Sequence, residues 1–220
     1  MDLVLTPEEV RVLGSLIEKQ TTTPETYPLS LNALRNACNQ KSSRDPVVSF
    51  GDETIKKALD GLREKNLVFV LYGENRVPKY GQILETVFSL ERSQLSALCV
   101  LMLRGAQTAG EVRQHAGPLH HYVDLADVEA ALEALIERDD QILAVKLPRS
   151  LGTKEPRYAH LLAGPVSMHD TVELGPARPS AGAASSRAER LTKLEENAAA
   201  VRLQLAELRQ QFVELKKQFE

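Results

Sequence analysis

Apolar and polar positions over the first 164 residues are written twice. Ile55, Ala58, Leu59 and Leu62 form a helical stripe that runs into the apolar strand Leu67 to Tyr72, and Val128, Ala131, Leu132 and Leu135 run in the same way into Ile142 to Leu147. The second copy follows the first by 73 to 78 positions. After each strand come a polar turn and a basic-aromatic pair, Lys79-Tyr80 and then Arg157-Tyr158. Three short helices followed by a two-stranded hairpin is the order of a winged helix, so the predicted fold is mainly α with small β-hairpins, an α+β chain with two tandem winged-helix domains.

Local signals place the elements. Thr6, Pro7 and Glu9 make a capping box with proline at the first helical position, which predicts a helix to about Gln20 that buries Val10, Leu13, Leu16 and Ile17. The stretch TTTPETYPLS reads as an extended connection to Ser30, the N-cap of a second helix burying Leu31, Leu34 and Ala37. Asp52 is the expected N-cap of a third helix, Glu53 to Lys65, and the strands Leu67 to Tyr72 and Arg76 to Tyr80 form the wing. In the second copy the helices are expected over Glu91 to Arg104, after the Thr108/Glu111 capping box, and from Asp124 to about Arg138. Gly105 should stop the first of them. Ile142 to Leu147 and Arg157 to Leu162 complete the second hairpin.

Beyond Pro165 the pattern changes. Residues 165–186 are rich in Pro, Gly, Ala and Ser and read as a flexible linker. Leu191, Leu194, Ala198, Val201, Leu205, Leu208, Phe212, Leu215 and Phe219 then recur at spacings of three and four, the seam of a long C-terminal helix of coiled-coil type over 187–220. At about 0.8 kcal/mol per buried methylene, such a seam favours a covering partner, and a homodimer is the expected one. The resulting division is 1–85 and 86–164 for the winged helices, 165–186 for the linker and 187–220 for the tail.

Composition narrows the setting. The N-terminus MDLVLTPEE has acids where a secretory signal needs a basic start, and no stretch has the roughly 18 consecutive apolar residues of a membrane span, so the expectation is a cytoplasmic protein. Cys38 and Cys99 sit among apolar neighbours and read as buried free thiols. His115, His120 and His121 match no zinc-ligand spacing and read as a turn-exposed cluster. Neither a Gly-rich phosphate loop nor a GxSxG elbow is present, so no catalytic residue, cofactor or metal is expected.

The segment TTTPETYPLSLNALRNACNQKSSRDPV, Thr21 to Val47, closely resembles the signature stretch of the YceH-like family of bacterial proteins, and MLRGAQT and RYAHLL resemble its second module. The resemblance spans about residues 5 to 164. It implies tandem winged helices, often with a C-terminal coiled segment, and brings no activity or catalytic residues.

Charge separates the two copies. On the first third helix Lys56, Lys57 and Arg63 lie off the apolar stripe, Lys41 and Arg44 precede it, and Arg76 and Lys79 lie on the wing. The second third helix instead carries Glu129, Glu133 and Glu137, which would repel a phosphate backbone. Only its wing, with Arg149 and Lys154, could touch DNA. Residues 1–85 hold 11 Lys plus Arg against 12 Asp plus Glu, and residues 86–164 hold 8 against 10, so contact with a polyanion would depend on local clustering. The expectation is a regulatory protein binding double-stranded DNA chiefly through the first module. The rival is a protein-interaction adaptor whose acidic helix meets a basic partner.

Overall fold

The computed structural model describes residues 3–72, 77–149 and 155–165. The linker and the C-terminal seam, with Leu191, Leu194, Val201, Leu205, Leu208, Phe212, Leu215 and Phe219, lie outside the described residues, as do Arg76 and Lys154.

The first repeat begins with a helix held by the signals that predict it. In α1 (Pro7–Thr22) the Thr6 hydroxyl accepts from Glu9 N–H at 3.3 Å, and the Glu9 carboxylate accepts from Thr6 N–H at 2.8 Å. A two-residue strand, β1 (Leu29–Ser30), precedes α2 (Leu31–Cys38), which Ser30 caps. Next come α3 (Asp52–Glu64), β2 (Val68–Tyr72) and β3 (Pro78–Gln82). A single turn, α4 (Leu84–Val87), leads into α5 (Arg92–Arg104), which ends at Gly105, whose φ of 73° favours glycine. The second repeat continues with β4 (Gln107–Thr108), α6 (Ala109–Ala116), α7 (Leu125–Ile136), β5 (Ala144–Lys146) and β6 (Arg157–His160).

The repeat extends to sheet register. Both sheets are antiparallel, ordered β1-β3-β2 and β4-β6-β5. Leu29 faces Tyr80 and Ser30 faces Lys79, just as Gln107 faces Tyr158 and Thr108 faces Arg157. The strands β1 and β4 and the turn α4 escape sequence reading because two paired residues or one helical turn leave no period to detect. Several expected boundaries also move. Gly51, not Asp52, is the N-cap of α3, and the Asp52 carboxylate instead meets Arg35 at 2.8 Å. The helix α7 stops at Ile136, and the hairpin strands are shorter or shifted relative to the apolar runs that suggested them.

The first helices of the two repeats are buried on all sides. Nine consecutive residues, Glu9 to Ile17, are buried in α1, and nine more, Leu95 to Leu103, in α5. Each packs on its own repeat and on the other, and one hydrophobic cluster runs from Leu5 through Leu162. Gly14 and Cys99, each eight residues after its helix N-cap, meet at the crossing, where the Cys99 thiol donates to the Gly14 carbonyl at 3.4 Å. A Cβ on Gly14 would approach Leu103 Cδ2 to 2.9 Å, so glycine sets how closely the helices cross.

The expected boundary at residue 85 falls within the turn α4, where no gap separates two packed bodies. All described residues fall in one compact unit. The chain start adds a further tie, since Leu5 N–H donates to Leu162 C=O at 2.7 Å and Leu3 exchanges hydrogen bonds with the Gln141 side chain. No helix among the described residues is long and apolar enough to cross a membrane.

Candidate nucleic-acid interface

The outer face of α3 is open. Ile55, Ala58, Leu59 and Leu62 turn into the core, leaving Lys56, Lys57, Asp60, Arg63 and Glu64 exposed. The helical period explains the division, because the buried positions recur at three and four and the charged ones fall between them. Two of the three cations have partners one turn earlier: Lys56 Nζ is 2.9 Å from Glu53 and Arg63 is 3.6 Å from Asp60. The hydrogen bond and charge of Glu53 raise the Lys56 pKa. Lys57 has no ion-pair partner among the described residues. Lys65, off the same stripe, is held at 2.6 Å by the buried Glu9 carboxylate, in space that the missing side chain of Gly61 leaves open.

The hairpin meets this face through an aromatic edge. Burial raises the Tyr80 pKa, helped by Tyr72 and Asp60 and opposed by Arg63 and Lys56, so each of these groups lies within electrostatic reach of Tyr80. Tyr80 pairs with Val70 and Leu29, whereas Lys79 pairs with Leu71 and Ser30. Alternate strand residues point to opposite faces, which puts the Lys79 side chain on the far side of the sheet from Tyr80. The basic-aromatic pair thus divides between two faces. Phe69 shares the Lys79 side, where its ring lies across the bare backbone of Gly81. Lys79 is exposed, as are Leu71, Tyr72 and Val77 around it.

The loop before α3 corrects one expectation. Lys41 is exposed, but Arg44 is buried, its side chain wholly inaccessible, and it is not part of a binding surface. Its guanidinium reaches both Glu18 carboxylate oxygens at 2.9 and 2.7 Å and also donates to the Ala37 carbonyl and Gln40 Oε1. Arg11 lies nearby and donates to the Cys38 and Pro46 carbonyls, while Asp45 N–H donates to Leu103 C=O at the end of α5. Burial lowers the Arg11 pKa, with Arg44 adding to the effect, and does the same to Arg104. These residues fasten the loop to both repeats. A buried arginine in a polar loop has no hydrophobic pattern to betray it; Glu18 on α1 is its only sequence clue.

In the second repeat Glu129, Glu133 and Glu137 are exposed along α7, with Asp124 and Asp127 at its start. Arg138 turns away to the Phe88 carbonyl and Asp140. Arg149 is exposed, whereas Arg157, the counterpart of Lys79, is engaged by Glu111 and the Ala106 carbonyl. Lys146 stands over the Tyr158 ring, 5.5 Å from its centroid. Cys38 and Cys99 are free and buried, and burial pushes both thiols up, Cys38 to about 11. His160 is half-buried as a residue, but its Nδ1 is enclosed without a partner and burial lowers its pKa to about 4. Among the described residues no group of three or more His, Cys, Asp or Glu side chains is arranged to hold a metal ion.

Known proteins match this chain over most of its length. The family model described as "Protein of unknown function, DUF480" matches residues 5–153. A UPF0502 protein of Opitutus terrae is 48% identical over 200 residues, covering 90% of this chain and 84% of that protein. UPF0502 proteins of Pelobacter propionicus and Solibacter usitatus are 44% and 45% identical, each over 220 residues and the full length of both chains.

Proposed function

We propose that this chain, which belongs to the DUF480 family of bacterial UPF0502 proteins, is a pair of winged helices that binds duplex DNA through the outer face of α3 in a regulatory role. Support for the winged-helix reading comes from three helices and a hairpin in each repeat, with a short strand between the first two helices pairing onto the last strand. The observation that carries the DNA reading is the open stripe of Lys56, Lys57 and Arg63 beside Tyr80, left free while the two repeats pack through α1 and α5. Lys57 meets phosphate directly. Lys56 and Arg63 exchange Glu53 and Asp60 for phosphate oxygens, which makes the net electrostatic gain small. The role is binding, not catalysis, in the cytoplasm where DNA is held. The seam over 187–220 pairs two protomers, so that two α3 faces can engage one duplex.

Charge reversal tests this. Lys57→Glu is expected to weaken binding to a mixed-sequence duplex at 50 mM salt at least tenfold, with Glu133→Lys on α7 leaving it unchanged or stronger. Equal affinity of wild type and Lys57→Glu would overturn the reading.

A second reading is favoured by the exposed row Glu129, Glu133 and Glu137, which suits a basic protein surface better than a nucleic acid. An adaptor role predicts that Glu133→Lys abolishes capture of a protein partner from nuclease-treated lysate. Capture unchanged by that substitution would reject it.

A further inference from the structure

The two repeats also differ at the outer side of their second helices. In the first repeat Arg35, on α2, donates to Asp52 at 2.8 Å and to Asn32 at 2.6 Å, and Asn39 exchanges hydrogen bonds with the Phe50 backbone. Its charge is matched, and asparagines stand one turn before and one turn after it. The positions 78 residues later, the separation of the helix caps Ser30 and Thr108, keep the arginine and lose both asparagines. Arg113 corresponds to Arg35 and Gln114 to Asn36, but Gly110 stands where Asn32 does and Gly117 where Asn39 does.

The result is an open cavity of about 380 Å³. Gly110, Arg113, Gln114, Gly117, His120, His121 and Tyr122 line it. No carboxylate is in that lining, and Arg113 has no acidic partner among the described residues. The nearby acids lie outside that lining. Asp124 and Asp127 accept from backbone N–H groups at the start of α7, and Glu111 accepts from Thr108 N–H and pairs with Arg157. Arg113 gives one N–H to the Val123 carbonyl, which fixes its guanidinium and leaves other donors free. His120 is held edge-on against Tyr122, with ring centroids 4.6 Å apart. An imidazole offers at least one N–H in either charge state, so Arg113, Gln114, His120 and His121 together supply donors without an opposing acid.

We infer that this cavity is a phosphate site, taking either a backbone phosphate of nucleic acid or a small phosphorylated molecule. Packing does not demand either glycine: a Cβ would meet only Thr108 Oγ1 at 3.9 Å from Gly110 and the Gln114 carbonyl at 3.6 Å from Gly117. What the glycines provide is room. The site is independent of the α3 reading, because it lies in the other repeat and uses none of the same residues.

The test follows the ring resonances of His120 and His121 by NMR in the full-length protein, titrated first with inorganic phosphate and separately with a 16-base-pair duplex. Saturable shifts of both rings with inorganic phosphate, weakened about tenfold in Arg113→Gln, support a small-phosphate site. Shifts with duplex alone, again weakened in Arg113→Gln and retained in Lys57→Glu, support a backbone-phosphate site. Gly110→Ala is a folded control, since alanine favours a helix more than glycine does, and it should reduce binding by narrowing the cavity. Unmoved rings with both ligands, or shifts that Arg113→Gln and Gly110→Ala leave intact, would overturn the inference.

Discussion

Replacing Arg44 with alanine separates a structural arginine from a DNA-binding one. The substitution removes two hydrogen bonds to Glu18, of 2.9 and 2.7 Å, and the bonds to Ala37, Ser43 and Gln40, and leaves the Glu18 carboxylate facing emptied space. Removing one partner of a buried ion pair costs about 3 to 5 kcal/mol. Two features place this case at the lower end. The Glu18 side chain keeps 14% of its exposure, so water partly replaces the guanidinium. Arg11, whose pKa is lowered in part by Arg44, is relieved of a like charge. The expected loss is about 3 kcal/mol, and at roughly 2 to 4 °C per kcal/mol for a body of this size the midpoint of thermal unfolding should fall by about 10 °C. Glu18→Gln should lose less, and the double variant less than the sum of the two, because the carboxylate is no longer stranded. Circular dichroism melts provide the measurement, with DNA affinity at 15 °C as the second readout. A midpoint shift below about 2 °C, together with a clear loss of DNA affinity, would refute the reasoning and return Arg44 to the surface.

Two further outcomes follow from the core. Gly14→Leu should destabilise by roughly 2 kcal/mol through overpacking against Leu103, and hydrogen exchange should speed up together in peptides from α3 and α7; acceleration in α3 alone would show that the repeats fold separately. For His160 the folded pKa of about 4 lies below the ordinary 6.5, so the unfolded chain binds the extra proton. Its contribution is complete above pH 6.5 and is lost as pH falls towards 4, by about 3 kcal/mol in total. Urea unfolding of wild type and His160→Leu between pH 7 and 4 should show the difference in stability change by that amount, and parallel pH profiles would contradict it.

Much of the repeat is legible in the chain because capping is local chemistry. Thr6, Ser30, Thr108 and Asp124 each bond the backbone N–H three residues on, as their spacing implies. The helix faces of α3 and α7 also follow from period. What period conceals is a helix buried all round: Arg11, Val12 and Ser15 lie off the inferred stripe of α1 and are buried nonetheless, and on α5 burial takes in every residue from Leu95 to Leu103. The all-apolar run LCVLML was the available signal, since a helix without a polar face belongs inside. The division of Lys79 from Tyr80 was equally readable from strand alternation. Lys56 and Arg63 were legible as exposed cations, but their pairing with Glu53 and Asp60 depends on rotamers that spacing alone does not fix. The cavity beside Arg113 needed the superposition of repeats, because two glycines in a helix announce nothing until the asparagines they replace are seen at work.

Binding of duplex DNA as a function of salt tests the central claim most directly. Three phosphate contacts, from Lys56, Lys57 and Arg63, predict that log K falls against log salt concentration with a slope of about −3 per protomer. The slope should become shallower by about one in Lys57→Glu. No measurable affinity at 50 mM salt, or a slope that the substitution does not change, would contradict the account.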